Sequence, residues 1–456
     1  MKTKINFKDS WNALLANAPL ILIILYTLMP YKPWNLPISP STVFIIVFFL
    51  FQFSELFRLW KFSVPKIEKI LLAATVLTFT LSAFIKIDAF SAQGFIAYYS
   101  SFVTFLIIRL TYNPQRHAGI LLKYFEYYLY LTCFLIFLEM FLGKKFFLSN
   151  LFTSIGFITE TYRFGSGFSP YASLTGGLIL WPLLNLIGTY IQKKPYLKIE
   201  LTAIIAGFIA LFYTLARAAW VGLTAGLLCF FILAMLYRYD LKKTFKTLTA
   251  VFIIFFTLST FVPKNLYYHH AVGDRIEMTG SSFKKLYSYF SNSTDLETLE
   301  PTGTIDASSN TRVVLYTFAL HKIYQSPLFG IGIDNFPLDY EKYAKTLNTD
   351  IKNNIDPAPR LEVHSFLLAY ILENGIIASL AFFALIFYYI SMAVKFRFSD
   401  QQVIILLVSF LSICTWMLFT GFLRERPFWI ALGILSASIF HFFPKLELHL
   451  NTPVNE

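Results

Sequence analysis

Long apolar runs alternate with short polar, mostly basic segments along all 456 residues. Several runs approach or exceed the ~20 residues a helix needs to cross a hydrocarbon core. They are continuous, whereas the strands of a membrane β-barrel alternate over ~10 residues. The pattern predicts twelve membrane helices, at about 13–30, 40–57, 69–86, 91–109, 120–142, 170–191, 199–215, 218–237, 246–263, 364–394, 401–422 and 427–443. The seventh and eighth are close to one run, divided around LARAAW. The tenth opens with a half-helix expected to break at Asn374-Gly375, a good helix stop.

A long loop of about 264–363 separates the ninth and tenth helices. Its middle, SNSTDLETLEPTGTIDASSN, is polar and low in aliphatics, the composition of a flexible segment. TRVVLYTFALHKIYQS then has apolar residues at helical spacing, Val314 with Phe318 and Leu315 with Ala319. Too short and too polar to span, it is expected to lie along the membrane surface. PLFGIGIDNF follows as a turn-rich link. Its GIG lacks the third glycine and the strand–helix setting of a nucleotide fingerprint. The expected fold class is therefore an all-α integral membrane protein with a large, partly helical loop. Helices one to nine fill 1–263, the loop with its amphipathic helices fills 264–363, and helices ten to twelve with a short tail fill 364–456.

Composition agrees. The chain is 56% hydrophobic and only 14% charged, against about a quarter charged in soluble domains, and its mean hydropathy is +0.60. A net charge of +12 would suggest nucleic acid for a soluble protein. Here basic cytoplasmic loops and anionic lipid account for it, and no nucleic-acid partner is expected. With the N-terminus in the cytoplasm, twenty Lys and Arg fall on the cytoplasmic side and eight in the short loops opposite; ten more lie in the long loop. Both termini are then cytoplasmic and the long loop is periplasmic. Cys133, Cys229 and Cys414 lie in apolar runs without a CxxC pair and read as packing residues. MKTK opens like a signal peptide, but the first apolar run lacks a small-residue cleavage site.

Charge matters most where it is scarce. Arg217 lies in FYTLARAAWVGL with no carboxylate within ten residues on either side. Arg163 precedes the sixth helix in ETYRFGSGFSPY, Arg424 and Arg426 form the turn LRERP, and Arg312 opens the loop helix. In this topology they share one leaflet with His364, which starts the tenth helix in LEVHSFLLAYILENG. Guanidinium groups at a membrane face usually line a cavity or pair with an anion. Arg binds phosphate bidentately and keeps its charge. The simplest ligand for several such arginines is a lipid diphosphate. Plainer roles compete: Arg426 beside Glu425 reads as an interfacial anchor, Arg163 can snorkel, Arg312 can pair with Asp306, and a lone histidine often only starts a helix. No two of the seven histidines have HExxH spacing, so no metal is expected.

The residues resemble the O-antigen ligase and polymerase superfamily of bacterial envelope enzymes over nearly the whole length. TLARAAWVG is similar to its arginine segment, NTRVVLYTFALHKIYQSPLFGIGIDNF to its loop segment, and VHSFLLAYILENGIIASL to its histidine segment. The resemblance implies an inner-membrane enzyme working at the periplasmic face. It would move O-antigen glycan from undecaprenyl diphosphate to a sugar hydroxyl of lipid A-core. His364 would be the catalytic histidine, and Arg217 and Arg312 would hold the donor diphosphate; Arg163 and Arg424 are further candidates for binding it. Many relatives carry Asn after the histidine, where this chain has Ser365. Some have an acidic residue near the last turn, where this chain reads FTGFLRER.

A neutral imidazole can take the acceptor's proton, worth about 10²–10⁴-fold. Arginines can stabilise the leaving diphosphate. The donor bond supplies the driving force, so neither metal nor cofactor is expected, and attack opposite the leaving group inverts the anomeric centre. The rivals are an O-antigen polymerase with another acceptor, transfer to protein, and a lipid-linked glycan flippase. A flippase calls for repeats and ionisable residues at mid-membrane; the sequence shows no repeat and few charges within spans beyond Glu55, Glu126 and Glu139.

Overall fold

The computed structural model describes residues 7–28, 39–85, 92–142, 172–192, 198–214, 216–236, 307–333, 335–337, 339–340, 363–395, 401–420 and 426–450, with a few further positions within 242–257 and at 342. Among these residues the chain is all helical, without a strand. The helices are α1 (Phe7–Leu28), α2 (Pro40–Ser63), α3 (Lys66–Ile85), α4 (Ala92–Thr111), α5 (Pro114–Leu142), α6 (Ala172–Gln192), α7 (Lys198–Tyr213), α8 (Arg217–Leu236), α9 (Ala307–Gln325), α10 (Phe366–Lys395), α11 (Gln401–Met417) and α12 (Arg426–Leu450). A helix occupies eleven of the twelve stretches expected to span, and α9 is the loop helix. The ninth stretch, 246–263, lies outside the described residues apart from single positions. Seven helices, α2 to α6, α8 and α10, are long and apolar enough to cross a membrane; α1, α7, α11 and α12 are shorter apolar helices.

Local chemistry sets the ends. Ser39 caps α2, its Oγ accepting from Thr42 N at 3.3 Å, with Pro40 behind it where a missing N–H costs nothing. Asn113 caps α5 the same way, accepting from Gln115 N at 3.0 Å ahead of Pro114. The division at LARAAW is a short unwinding. The Thr214 hydroxyl donates to Leu211 O at 2.7 Å and accepts from Ala216 N at 3.3 Å, so α8 restarts at Arg217.

α6 sits at the centre, enclosed by α5, α7, α8 and α11. α10 runs along α3, α12 along α4, and α11 along α8. Trp416 of α11, fully buried, lies against Gly177 of α6 and Gly222 of α8; small residues let these backbones approach.

Arg109, one of the twenty basic residues assigned to the cytoplasmic side, is buried within the bundle. It grips Glu68 with two hydrogen bonds, 2.8 and 2.9 Å, and its guanidinium faces the Phe440 ring at 4.5 Å. The Tyr389 hydroxyl also donates to Glu68, at 2.7 Å. One desolvated ion pair thus ties α3, α4, α10 and α12 together at the end where α4 finishes.

Candidate active site

The site is built around a break in α10. Gly375 has φ 76° and ψ 176°, a conformation essentially reserved for glycine. A break leaves the last carbonyls of one half and the first amides of the other without partners. The turn after α9 supplies them. Ile331 N donates to Leu372 O at 2.8 Å and Gly332 N to Glu373 O at 3.0 Å. From the other half, Ile376 N donates to Pro327 O at 2.8 Å. Gly330, at φ 70°, approaches so closely that a Cβ there would meet Leu372 O at 2.5 Å. A Cβ on Gly375 would run into the backbone of Leu328 and Phe329. PLFGIG is therefore a backbone clamp. From α3, the Ser82 hydroxyl donates to Phe329 O at 2.5 Å. From α4, Tyr98 donates to the buried Glu373 carboxylate at 2.9 Å.

The expected break at Asn374-Gly375 is present, and it is acute. Phe366 lies 5.9 Å from Phe382 and Tyr370 4.5 Å from Phe382, ring to ring. A straight helix would separate the first pair by about 24 Å along its axis. The first half of α10, 366–374, thus folds back beside the second. Space for it exists because α12 starts low: Trp429 packs on Phe102 at 6.0 Å and Phe105 at 6.3 Å. About 15 Å of α4 extends beyond that level. His364 precedes the inner end of the returning segment, where Phe366 packs on Phe428 at 5.4 Å.

His364 is half-buried and has φ 51°, left-handed for a non-glycine residue and costing roughly 1–2 kcal/mol. The Tyr316 hydroxyl of α9 donates to its carbonyl oxygen at 3.0 Å. Burial, and then the charge of Arg312, push the His364 imidazole down to about 4, so the ring is neutral at neutral pH. Burial pushes the Tyr316 hydroxyl up, and the Arg312 charge offsets part of that rise. Arg312, Tyr316 and His364 therefore form one electrostatic cluster. Beside them α9 buries Leu315 and Ala319, and Phe318 packs on Phe336 and Tyr340, each at 5.7 Å.

Arg217 reaches the same end of the bundle by another route. Gly222, just over a turn later, accepts from the Ser412 hydroxyl at 2.7 Å. Phe410 of that same helix, α11, packs on Phe428 at 5.4 Å, beneath Phe366. Arg163 and Arg424 lie outside the described residues. Sequence reasoning missed Tyr316 as a partner of His364, and also Ser82, Tyr98 and Glu373. Glu373 had a signal, an acid within an apolar helix; the serine and tyrosines had none.

No curated protein matches the chain in a sequence search. Residues 202–383 match the family model described as O-antigen ligase. That stretch runs from α7 past the break in α10 and contains Arg217, Arg312, Tyr316, the clamp and His364. The matched domain is consistent with the O-antigen ligase and polymerase superfamily that the sequence resembles, and it is set among membrane-length helices.

Proposed function

We propose that the chain is an O-antigen ligase of the bacterial inner membrane, with twelve spans and its site on the periplasmic face. It moves glycan from undecaprenyl diphosphate to a sugar hydroxyl of lipid A-core. The observation that carries this reading is the hydrogen bond by which Tyr316 holds His364 beside the Arg312 charge, where burial and that charge keep the ring neutral. A neutral ring has the lone pair a general base needs, and Arg312 offers the fork a diphosphate takes. Arg217 at the same end is the second cation, and Arg163 and Arg424 complete the set.

The chemistry follows from the charges. Before the donor binds, Arg312 opposes protonation of His364. A bound diphosphate offsets that charge, so the imidazole becomes a stronger base once the donor is in place. His364 takes the hydroxyl proton as the acceptor oxygen attacks the anomeric carbon. The bond to the diphosphate breaks on the opposite side, and the arginines stabilise the departing anion. The anomeric configuration inverts.

A polymerase would use the same residues with another acceptor. Deleting the gene distinguishes them: loss of all glycan from lipid A-core supports the ligase, whereas a single capped unit on the core means polymerase. Product that keeps the donor's anomeric configuration would overturn the inverting mechanism.

A further inference from the structure

We propose that the Pro327–Gly332 turn is the joint that sets His364 against Arg312, and that Tyr316 and Ser82 are positioning residues for the transfer. The inference rests on the reading of those two residues as the reacting pair.

Two arms meet at this joint. α9 runs into it at Ser326, and the first half of α10 runs into it at Asn374. Counted back from the joint, Tyr316 and His364 each stand ten residues away, about 15 Å along α9 and a similar span along the other arm, whose helix begins at Phe366. The arms touch again there, through the hydrogen bond from Tyr316 to the His364 carbonyl. Two helical arms of matched length, fixed at both ends, have one register. A slip of one residue would move the guanidinium about 1.5 Å along the imidazole, and misplacement on that scale costs on the order of 10²-fold in rate.

The joint is anchored from outside the arms. Ser82 on α3 donates to Phe329 O at 2.5 Å and reaches Glu373 O at 3.4 Å, so one hydroxyl touches the turn and the returning segment together. Ser82 is fully buried and far from the proton transfer. At the inner end the Tyr316 bond holds the left-handed backbone of His364, which directs the ring. Both residues act through His364 rather than on substrate.

The test uses the purified full-length protein in nanodiscs, with a prenyl-diphosphate-linked oligosaccharide as donor and lipid A-core as acceptor. Tyr316→Phe and Ser82→Ala should each lower kcat by roughly 10- to 100-fold. The donor KM and the melting midpoint should stay near wild type. The acid limb of the kcat/KM profile, which reports the free enzyme, should move to higher pH as Arg312 drifts from the ring. Ser82→Thr keeps the hydroxyl and should restore both rate and profile. Wild-type kcat and an unmoved acid limb in both variants, with His364→Ala inactive, would overturn the joint and leave the site reading intact. A rate loss matched by loss of folded protein and not restored by Ser82→Thr would also overturn it. A fully active His364→Ala would remove the site reading itself.

Discussion

The hydroxyl of Tyr316 donates to the carbonyl oxygen of His364 across 3.0 Å, joining a loop helix to the residue just ahead of a membrane helix. That contact sets the histidine within reach of the Arg312 charge and gives the site a defined response to pH and substitution.

The acid limb of catalysis depends on Arg312. With burial and Arg312 both acting, His364 stays neutral down to about pH 4. Replacing Arg312 by Ala removes the smaller of the two causes, so the imidazole moves up toward its ordinary value while staying below it. The variant should lose more activity at pH 5 than at pH 8, relative to wild type. The pH profile of kcat/KM for the donor, which reports the free enzyme, reads this directly; identical acid limbs would remove Arg312 from the electrostatics of the site. Stability follows the same linkage. The folded state binds fewer protons than the unfolded state between about pH 4 and 6.5, so this residue's contribution falls as pH drops through that window.

Arg312→Lys keeps the charge but loses the planar fork. The donor KM should rise about 10- to 100-fold, the scale of one charge-assisted hydrogen bond. Arg217→Lys should act in the same direction. Saturation kinetics measure both, and an unchanged KM for both would separate the arginines from the diphosphate.

Glycine at the break is required by geometry. Gly375→Ala would combine a glycine-only backbone conformation with a collision against Leu328 and Phe329, so it should destabilise by at least about 2 kcal/mol. Gly119→Ala is the control: nothing lies within 4 Å of a Cβ there, and in a helix the change should be neutral or stabilising by up to about 1 kcal/mol. Thermal melts in detergent compare them.

Removing one partner of the buried Glu68–Arg109 pair leaves a bare charge. Glu68→Ala should cost about 3–5 kcal/mol, and replacing both by apolar residues should recover much of that loss. Equal melting temperatures for Glu68→Ala and wild type would contradict the packing described around α4 and α10.

Much of this was legible in the sequence, for physical reasons. Apolar runs long enough to span declare helices, and Asn374-Gly375 declares a stop. Arg217, Arg312 and His364 stand out because charge in such surroundings is rare. The fold-back was not legible. Residues 366–395 read as one apolar stretch, and the acute angle depends on Leu328 and Gly330 arriving from far earlier in the chain. Arg109 misled for a related reason: its partner Glu68 lies on another helix, so in sequence it resembles an ordinary end-of-helix cation. Local pattern predicts elements well, but what satisfies a broken helix or a buried charge is set by tertiary contact.

The most direct measurement is glycan transfer by purified His364→Ala protein, from a prenyl-diphosphate-linked donor to lipid A-core. With folding and donor binding intact, the rate should fall by about 10²–10⁴-fold, the usual contribution of a general base. Transfer at near wild-type rate would contradict the account.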